Sequence, residues 1–273
     1  MKRSLDKMYY YKTTIQYEGT EFAGFQWQNG LRTVQDEINK ALALIINGKV
    51  TTRAASRTDT GVHALDQVVK ISSALPIECE TFLESFNRHL PKDIKCLAIA
   101  PCEGTFKPGA EALSKEYRYF FTNKKQVSIE DRRFIANIAN KLDITAMKTC
   151  LKAIVGKHDF CNFYSIGSNV KTTEREISFC ELLEINPHEI FSGQTLFHVP
   201  NDLQSCYQLR IEANGFLKQM IRHLMSALWM VGSNKLSVEE FLALIDGPKK
   251  EKQLWKVASP NGLYLYKISY PRD

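Results

Sequence analysis

The chain is poor in the features that most often announce a function. Its longest purely apolar run is "ALALII", residues 41–46, far short of the ~20 residues a membrane-crossing helix needs. The opening "MKRSLDKMYYYK" is charged and holds no apolar stretch, so it is not expected to act as a secretory leader. Seven cysteines, at 79, 96, 102, 150, 161, 180 and 206, are scattered and odd in number, with no C-x-x-C. That argues against a disulfide framework and a structural zinc; the cysteines read as small core residues of a protein in a reducing compartment, the cytoplasm. The six histidines form no H-E-x-x-H and no H-x-x-x-H, so no metal site is expected. A phosphate-cradling glycine loop and a G-x-S-x-G elbow are also missing, which removes the usual signatures of nucleotide-binding enzymes and serine hydrolases.

What is present suits a globular protein: 273 residues, 44% hydrophobic and 24% charged, enough for one large domain or two modest ones with a sizeable core. The formal net charge of +6 leans towards a polyanionic partner, a weak signal on its own. "YYYKTTIQY" (9–17) reads as a strand. "TVQDEINKALALII" (33–46) reads as a helix capped by Thr33 and stopped at Gly48. A weak strand at 49–56, a strand at 66–73, a helix at 80–90 and a strand at 94–100 follow. The order then recurs: strands at 116–122, 176–185, 205–213 and 262–270, helices at 143–156 and 214–232, and a small capped helix at 237–246. Both halves read as β-α-β-β-α-β, the ferredoxin-like order. The expected fold is α+β: two such halves, residues 1–110 and 111–273, forming one extended, mostly antiparallel sheet with helices on one face and a cleft on the other.

The stretch "SRTDTGVHA" (56–64) contains Asp59-Thr60-Gly61, the tripeptide of aspartic proteases. Those enzymes need two carboxylates sharing one proton, and no second Asp-Thr/Ser-Gly exists here. Arg57, two residues earlier, is expected to keep Asp59 ionised, the opposite of a proton-sharing pair. A lone anionic carboxylate in a glycine-punctuated loop is instead a candidate nucleophile, or a plain turn with a surface ion pair. The helix read at 214–232 is mostly apolar, with Lys218, Arg222 and Ser226 on a narrow polar stripe. A buried arginine calls for a carboxylate, and Asp59 is an available partner.

Several stretches appear in order: "YEGTEFAGFQWQ" (17–28), "GLRTVQDEINKAL" (30–42), "RTDTGVHALDQVV" (57–69), "NRHLPKDI" (87–94), "KEYRYFF" (115–121), "GKHDFCNF" (156–163), "NGFLKQMIRHLMSALWMVG" (214–232) and "GLYLYKISY" (262–270). Over nearly the whole chain they resemble the TruA family of tRNA pseudouridine synthases. The resemblance implies that Asp59 is the catalytic aspartate, Tyr117 the tyrosine that stacks on the flipped uracil, and Arg222 the arginine paired with the aspartate. It implies that Arg57 holds the place of the displaced base; turning the detached uracil needs a closed pocket, which Leu217 and Leu263, in "GLYL" (262–265), are expected to wall. Lys115 and His63 complete the substrate-binding set. The reaction cleaves N1–C1′, turns the uracil and joins C5 to C1′, so no cofactor and no metal are needed. The residues leave three routes open: attack on C1′, attack on C6, or a glycal. The implied substrate is tRNA, at uridines 38 to 40 of the anticodon arm, and the implied assembly is a homodimer. A catalytically inactive RNA-binding or chaperone-like relative is the alternative. Lys12, Arg32, Arg53, Lys70, Lys115, Arg118, Lys124, Lys125 and Lys218 are candidates for phosphate contacts. The chain departs from the family pattern at "FKPGAEA" (106–112), where a His and an Arg are usual, and at "GFQWQ", where Phe25 replaces Trp.

Overall fold

The structure is a computed structural model that describes residues 7–125, 127–167, 170–188, 196–197, 205–252 and 254–271. Packing divides the chain into two units, Met1–Leu113 with Leu265–Asp273, and Ser114–Tyr264. The first contains β1 (Tyr9–Tyr17), α1 (Val34–Ile45), β2 (Val50–Ala54), β3 (His63–Ser73), α2 (Cys79–His89) and β4 (Ile94–Pro101), the expected β-α-β-β-α-β. Its strands pair in the order β4-β1-β3, antiparallel, with β2 on the second half of β3. The last strand, β10 (Leu263–Ser269), joins this unit from Leu265 onward. There the Ile268 N–H donates to Asp66 Oδ2 at 2.9 Å.

The helices form where caps and apolar spacing agree. Thr33 Oγ1 accepts the Asp36 N–H at 3.3 Å, and Val34, Ile38, Ala41 and Leu42 are the residues α1 buries. In α2 the Glu78 carboxylate caps Glu80 and Thr81, and Phe82 and Phe86 stack inward, ring centroids 5.4 Å apart. On β1 the buried residues Tyr11, Thr13, Ile15 and Tyr17 recur every second position, as a strand requires.

The second unit holds β5 (Ser114–Thr122), β6 (Ala136–Asn137), α3 (Ile144–Ala153), β7 (Gly156–Asp159), β8 (Glu174–Ile185), β9 (Cys206–Ala213), α4 (Met220–Gly232), α5 (Val238–Leu242) and the start of β10. Its strands run β5-β9-β8-β7, antiparallel, with β6 parallel to β5. Helix α4 is the centre of this core. Tyr119 and Phe121, on one face of β5, meet its Trp229 edge-on at 5.8 and 5.7 Å. Leu224, Met225 and Ala227 are fully buried.

Three local readings change. The helix expected over 214–232 begins at Met220, because Gln219 adopts a left-handed conformation (φ 59°) that no helix can pass through. Residues 214–219 are therefore a loop, and Gly215 within it is a poor helix former. The helix expected at 237–246 shortens to Val238–Leu242, although its capping box between Ser237 and Glu240 forms. Strand β7, unexpected from the sequence, is a four-residue edge segment. Because Leu224 is 0% exposed, Leu224→Ala is expected to lower the unfolding free energy by about 2–5 kcal/mol. Urea titration measures it, and a loss below about 1 kcal/mol would show a looser core than this packing implies.

Candidate active site

In the first unit, the loop carrying Asp59 is held by backbone meeting backbone. A Cβ on Gly19 would lie 2.0 Å from the Val62 carbonyl oxygen, and one on Gly24 would lie 2.8 Å from that of Thr58. Only glycine permits such approach. The Phe25 N–H donates to the Thr58 carbonyl at 3.1 Å and the Gly61 N–H to that of Phe22 at 3.2 Å. The Asp59 carbonyl accepts from the Val62 N–H at 3.2 Å across a tight turn, and Gly61 supplies the positive φ (77°) there. Side chains complete the clamp. Tyr17 Oη and Thr58 Oγ1 share a buried hydrogen bond of 2.8 Å. Gln67 spans the loop's entry, donating to the Ser56 carbonyl at 2.7 Å and accepting from the Ser56 N–H at 3.2 Å.

His63 belongs to this clamp. It is fully buried, and its Nδ1 accepts the Gly19 N–H at 3.0 Å. The imidazole thus ties the two loops together. Asp59 is half-buried and Arg57 exposed, so the turn presents its carboxylate from a fixed frame.

The other named residues lie in the second unit. Tyr117, on β5 opposite Ile211, is 6% exposed, and the Phe216 ring meets it edge-on at 5.2 Å. Leu217 and Leu263 are both buried. Lys115 is half-buried, and burial lowers its ammonium below the ordinary lysine value. Arg222, half-buried on the first turn of α4, donates from Nε to the Ala258 carbonyl at 2.7 Å. One turn on, Ser226 Oγ donates to the Lys256 carbonyl at 2.6 Å. The stripe read from the sequence therefore serves the backbone of residues 256–258. Lys218 is not on it, since it precedes the helix.

A chain of hydrogen bonds that is buried at its Trp255–His223 end, not foreseen from the sequence, fixes the start of α4. Trp255 Nε1–H donates to His223 Nδ1 at 3.3 Å, which leaves Nε2 as the protonated nitrogen facing Ser165 Oγ at 2.9 Å. The Ser165 hydroxyl then donates to Gln219 Oε1 at 2.5 Å. The Ser165 N–H also donates to the Lys218 carbonyl at 3.0 Å. The left-handed Gln219 is thus gripped from both side chain and backbone. Burial, with the Arg222 charge adding to it, pushes His223 down from 6.5 to about 4. The ring is neutral at physiological pH, as the two hydrogen bonds require.

Three expected phosphate contacts are occupied internally. Arg32 makes a bidentate pair with Asp93 at 2.7 and 3.0 Å. Lys70 is buried and donates to the Gly104 and Phe106 carbonyls. Arg118 bonds Glu116 and Gln208. Among the described residues no cluster of His, Cys, Asp or Glu could hold a metal, and no helix is long and apolar enough to cross a membrane.

With this geometry stand the comparisons with known proteins. Residues 150–271 match the model of a family described as tRNA pseudouridine synthase. Over longer spans the chain is 34% identical to tRNA pseudouridine synthase A of Oceanobacillus iheyensis, covering 96% of this chain and 97% of the relative. It is 34% identical to that of Listeria monocytogenes over 95% and 98%, and 32% identical to that of a Geobacter species over 95% and 98%. The fold and this similarity define the class as pseudouridine synthases. Within it, the chain belongs to the tRNA pseudouridine synthase A family.

Two expectations follow. Gly19→Ala forces the 58–62 backbone to move and lowers the unfolding free energy by about 1–3 kcal/mol, read by urea titration; an unchanged midpoint would show that the loops do not need this approach. Second, His223 has a folded value below its unfolded one. Its contribution to stability is fully present above 6.5 and is lost as pH falls from 6.5 towards 4. Urea titrations across that window are expected to show a shallower acid-side loss in His223→Gln than in the parent, and parallel curves would assign the loss to another group.

Proposed function

We propose that the protein is a tRNA pseudouridine synthase. It isomerises uridine to pseudouridine at positions 38 to 40 of the anticodon arm, acting in the cytoplasm as a homodimer. The observation that carries this reading is similarity to named tRNA pseudouridine synthases A over 96% of the chain, a span that includes the R-T-D-T-G-V-H-A loop. Asp59 acts as the nucleophile. Its fixed turn favours that role, because a nucleophile must be held near its attack geometry before the reaction begins. Arg222 supplies the positive charge that keeps the nucleophile anionic. Tyr117 offers its ring to the extruded uracil, offsetting the few kcal/mol that unstacking costs. Leu217 and Leu263 keep water from the detached base, Arg57 takes the vacated place in the stack, and Lys115 faces phosphate. His63 acts through Gly19, as a positioning residue.

In the reaction the N1–C1′ bond breaks, C5–C1′ forms, and the proton of C5 leaves while N1 gains one. Tritium at C5 is therefore released to water. Incubation of tRNA carrying 5-tritiated uridine, with no added cofactor, is expected to release tritium stoichiometrically with pseudouridine. Asp59→Asn lowers release by on the order of 10³-fold or more while tRNA still binds in a gel-shift assay. Binding with no release from the folded parent, across a range of tRNAs, would return the protein to the inactive RNA-binding reading. Full activity in Asp59→Asn would remove Asp59 as nucleophile.

A further inference from the structure

The segment before Thr33 is a tightly tied loop that nonetheless exposes a large apolar surface. The Ala23 N–H donates to the Arg32 carbonyl at 2.8 Å and closes it. Inside, Gln28 Nε2 donates to the Ala23 carbonyl at 2.8 Å. Gln35, on α1, gathers the tip: its Oε1 accepts from the Trp27 N–H at 3.0 Å and from Gln26 Nε2 at 3.1 Å, and its own amide reaches the Thr52 carbonyl. The Arg32–Asp93 pair anchors the base. Yet Trp27 is 53% exposed and Leu31 50% exposed. A loop fixed at so many points could have turned its indole inward, and a half-exposed tryptophan on rigid backbone suits recognition of a partner.

The loop's place in the chain tells which partner. Phe25 bonds the Thr58 carbonyl, next to Asp59, and Trp27 follows two residues later, at most about 7 Å of extended chain. An enzyme that extrudes a base leaves the neighbouring bases with open faces. The exposed flanking residues Gln26, Gln28 and Asn29 carry no charge, so nothing beside the indole favours phosphate over a base. We infer that Trp27 stacks on an unpaired nucleobase of the RNA beside the reacting uridine. This rests on the synthase reading and adds a substrate-positioning residue to it.

The test compares the parent, Trp27→Ala and Trp27→Phe on an unmodified tRNA transcript, by tritium release. Trp27→Ala is expected to raise KM by roughly ten- to a hundredfold with kcat within about threefold, and Trp27→Phe to recover most of the loss, since any aromatic face can stack. Fluorescence gives an independent reading. Trp255 is buried and Trp229 packs on Tyr119 and Phe121, so saturating tRNA should quench the parent and leave Trp27→Phe nearly unquenched. An unchanged KM in Trp27→Ala, or full quenching in Trp27→Phe, overturns the inference while the parent's turnover keeps the synthase reading. Sedimentation velocity covers the other occupant of such a patch: loss of self-association in Trp27→Ala, with KM following it, assigns the indole to a second copy of the chain and overturns the nucleobase. A parent that releases no tritium overturns both readings.

Discussion

The loop that carries Asp59 depends on an absence of atoms. Gly19 and Gly24 lie against the backbone of residues 58–62 with no room for even a methyl group. Side-chain packing can slide by tenths of an ångström as rotamers adjust, whereas two main chains in van der Waals contact, cross-bonded at Phe25–Thr58 and Gly61–Phe22, have no such freedom. The position of Asp59 is therefore set by the β1–α1 loop. That explains why "YEGTEFAG" (17–24) and "SRTDTGVHA" (56–64), separated along the chain by 31 residues, behave as one piece. His63 and Tyr17 add directional bonds at its two ends. Each is buried, so losing a partner would cost more than making the bond gained.

The second unit reaches rigidity differently. Its key helix, α4, starts from a left-handed glutamine, a conformation that costs a non-glycine residue on the order of 1–3 kcal/mol. The surroundings must outweigh that cost, and the Trp255–His223–Ser165–Gln219 chain is the visible compensation. It works only with a neutral imidazole that accepts at one nitrogen and donates at the other. Burial, with the Arg222 charge beside it, keeps the ring neutral, so the same desolvation that disfavours charge keeps the chain intact. The result is a sharp turn that delivers Phe216 to Tyr117 and places Arg222 on the first helical turn.

How much of this could be read from the chain depended on the range of the forces involved. Helix α1 was legible because Thr33, the 3.6-residue apolar spacing and Gly48 are all local. The β-α-β-β-α-β order of the first unit followed from alternation and turn residues. The start of α4 was not legible: its periodicity continues unbroken through Phe216 and Leu217, and what breaks the helix is a hydrogen bond from Ser165, fifty-four residues away. The return of residues 265–269 to the first unit is likewise a long-range pairing with no local signature. For the candidate site, the type and spacing of Asp59 and Arg57 fitted a nucleophile and a plain turn alike, and only the family resemblance gave them roles. The clamp was half visible, since two glycines in one short stretch are a cue for close approach, but their contact surface could not be read. The basic residues misled most: a lysine's sequence position does not say whether it faces phosphate or, like Lys70, two carbonyls of its own chain.

The cysteines, two of the histidines and Tyr119 are poorly placed to act as nucleophiles. Seven cysteines would be stronger nucleophiles than any carboxylate if they ionised, yet burial raises every one of their thiols above the ordinary value. Reactive thiols need the reverse, a lowered value near cations or a helix N-terminus. His223 is buried and engaged at both nitrogens, and His63 is buried behind Gly19. Tyr119 is pushed up by burial, and its hydroxyl is committed to the Ser259 carbonyl. Among these groups a carboxylate is the one that ionises at neutral pH without help. Asp59 carries it on a tight turn whose backbone cannot shift. In the nucleophilic role proposed for Asp59, a rigid frame suits a weak nucleophile, and a carboxylate is also a competent leaving group.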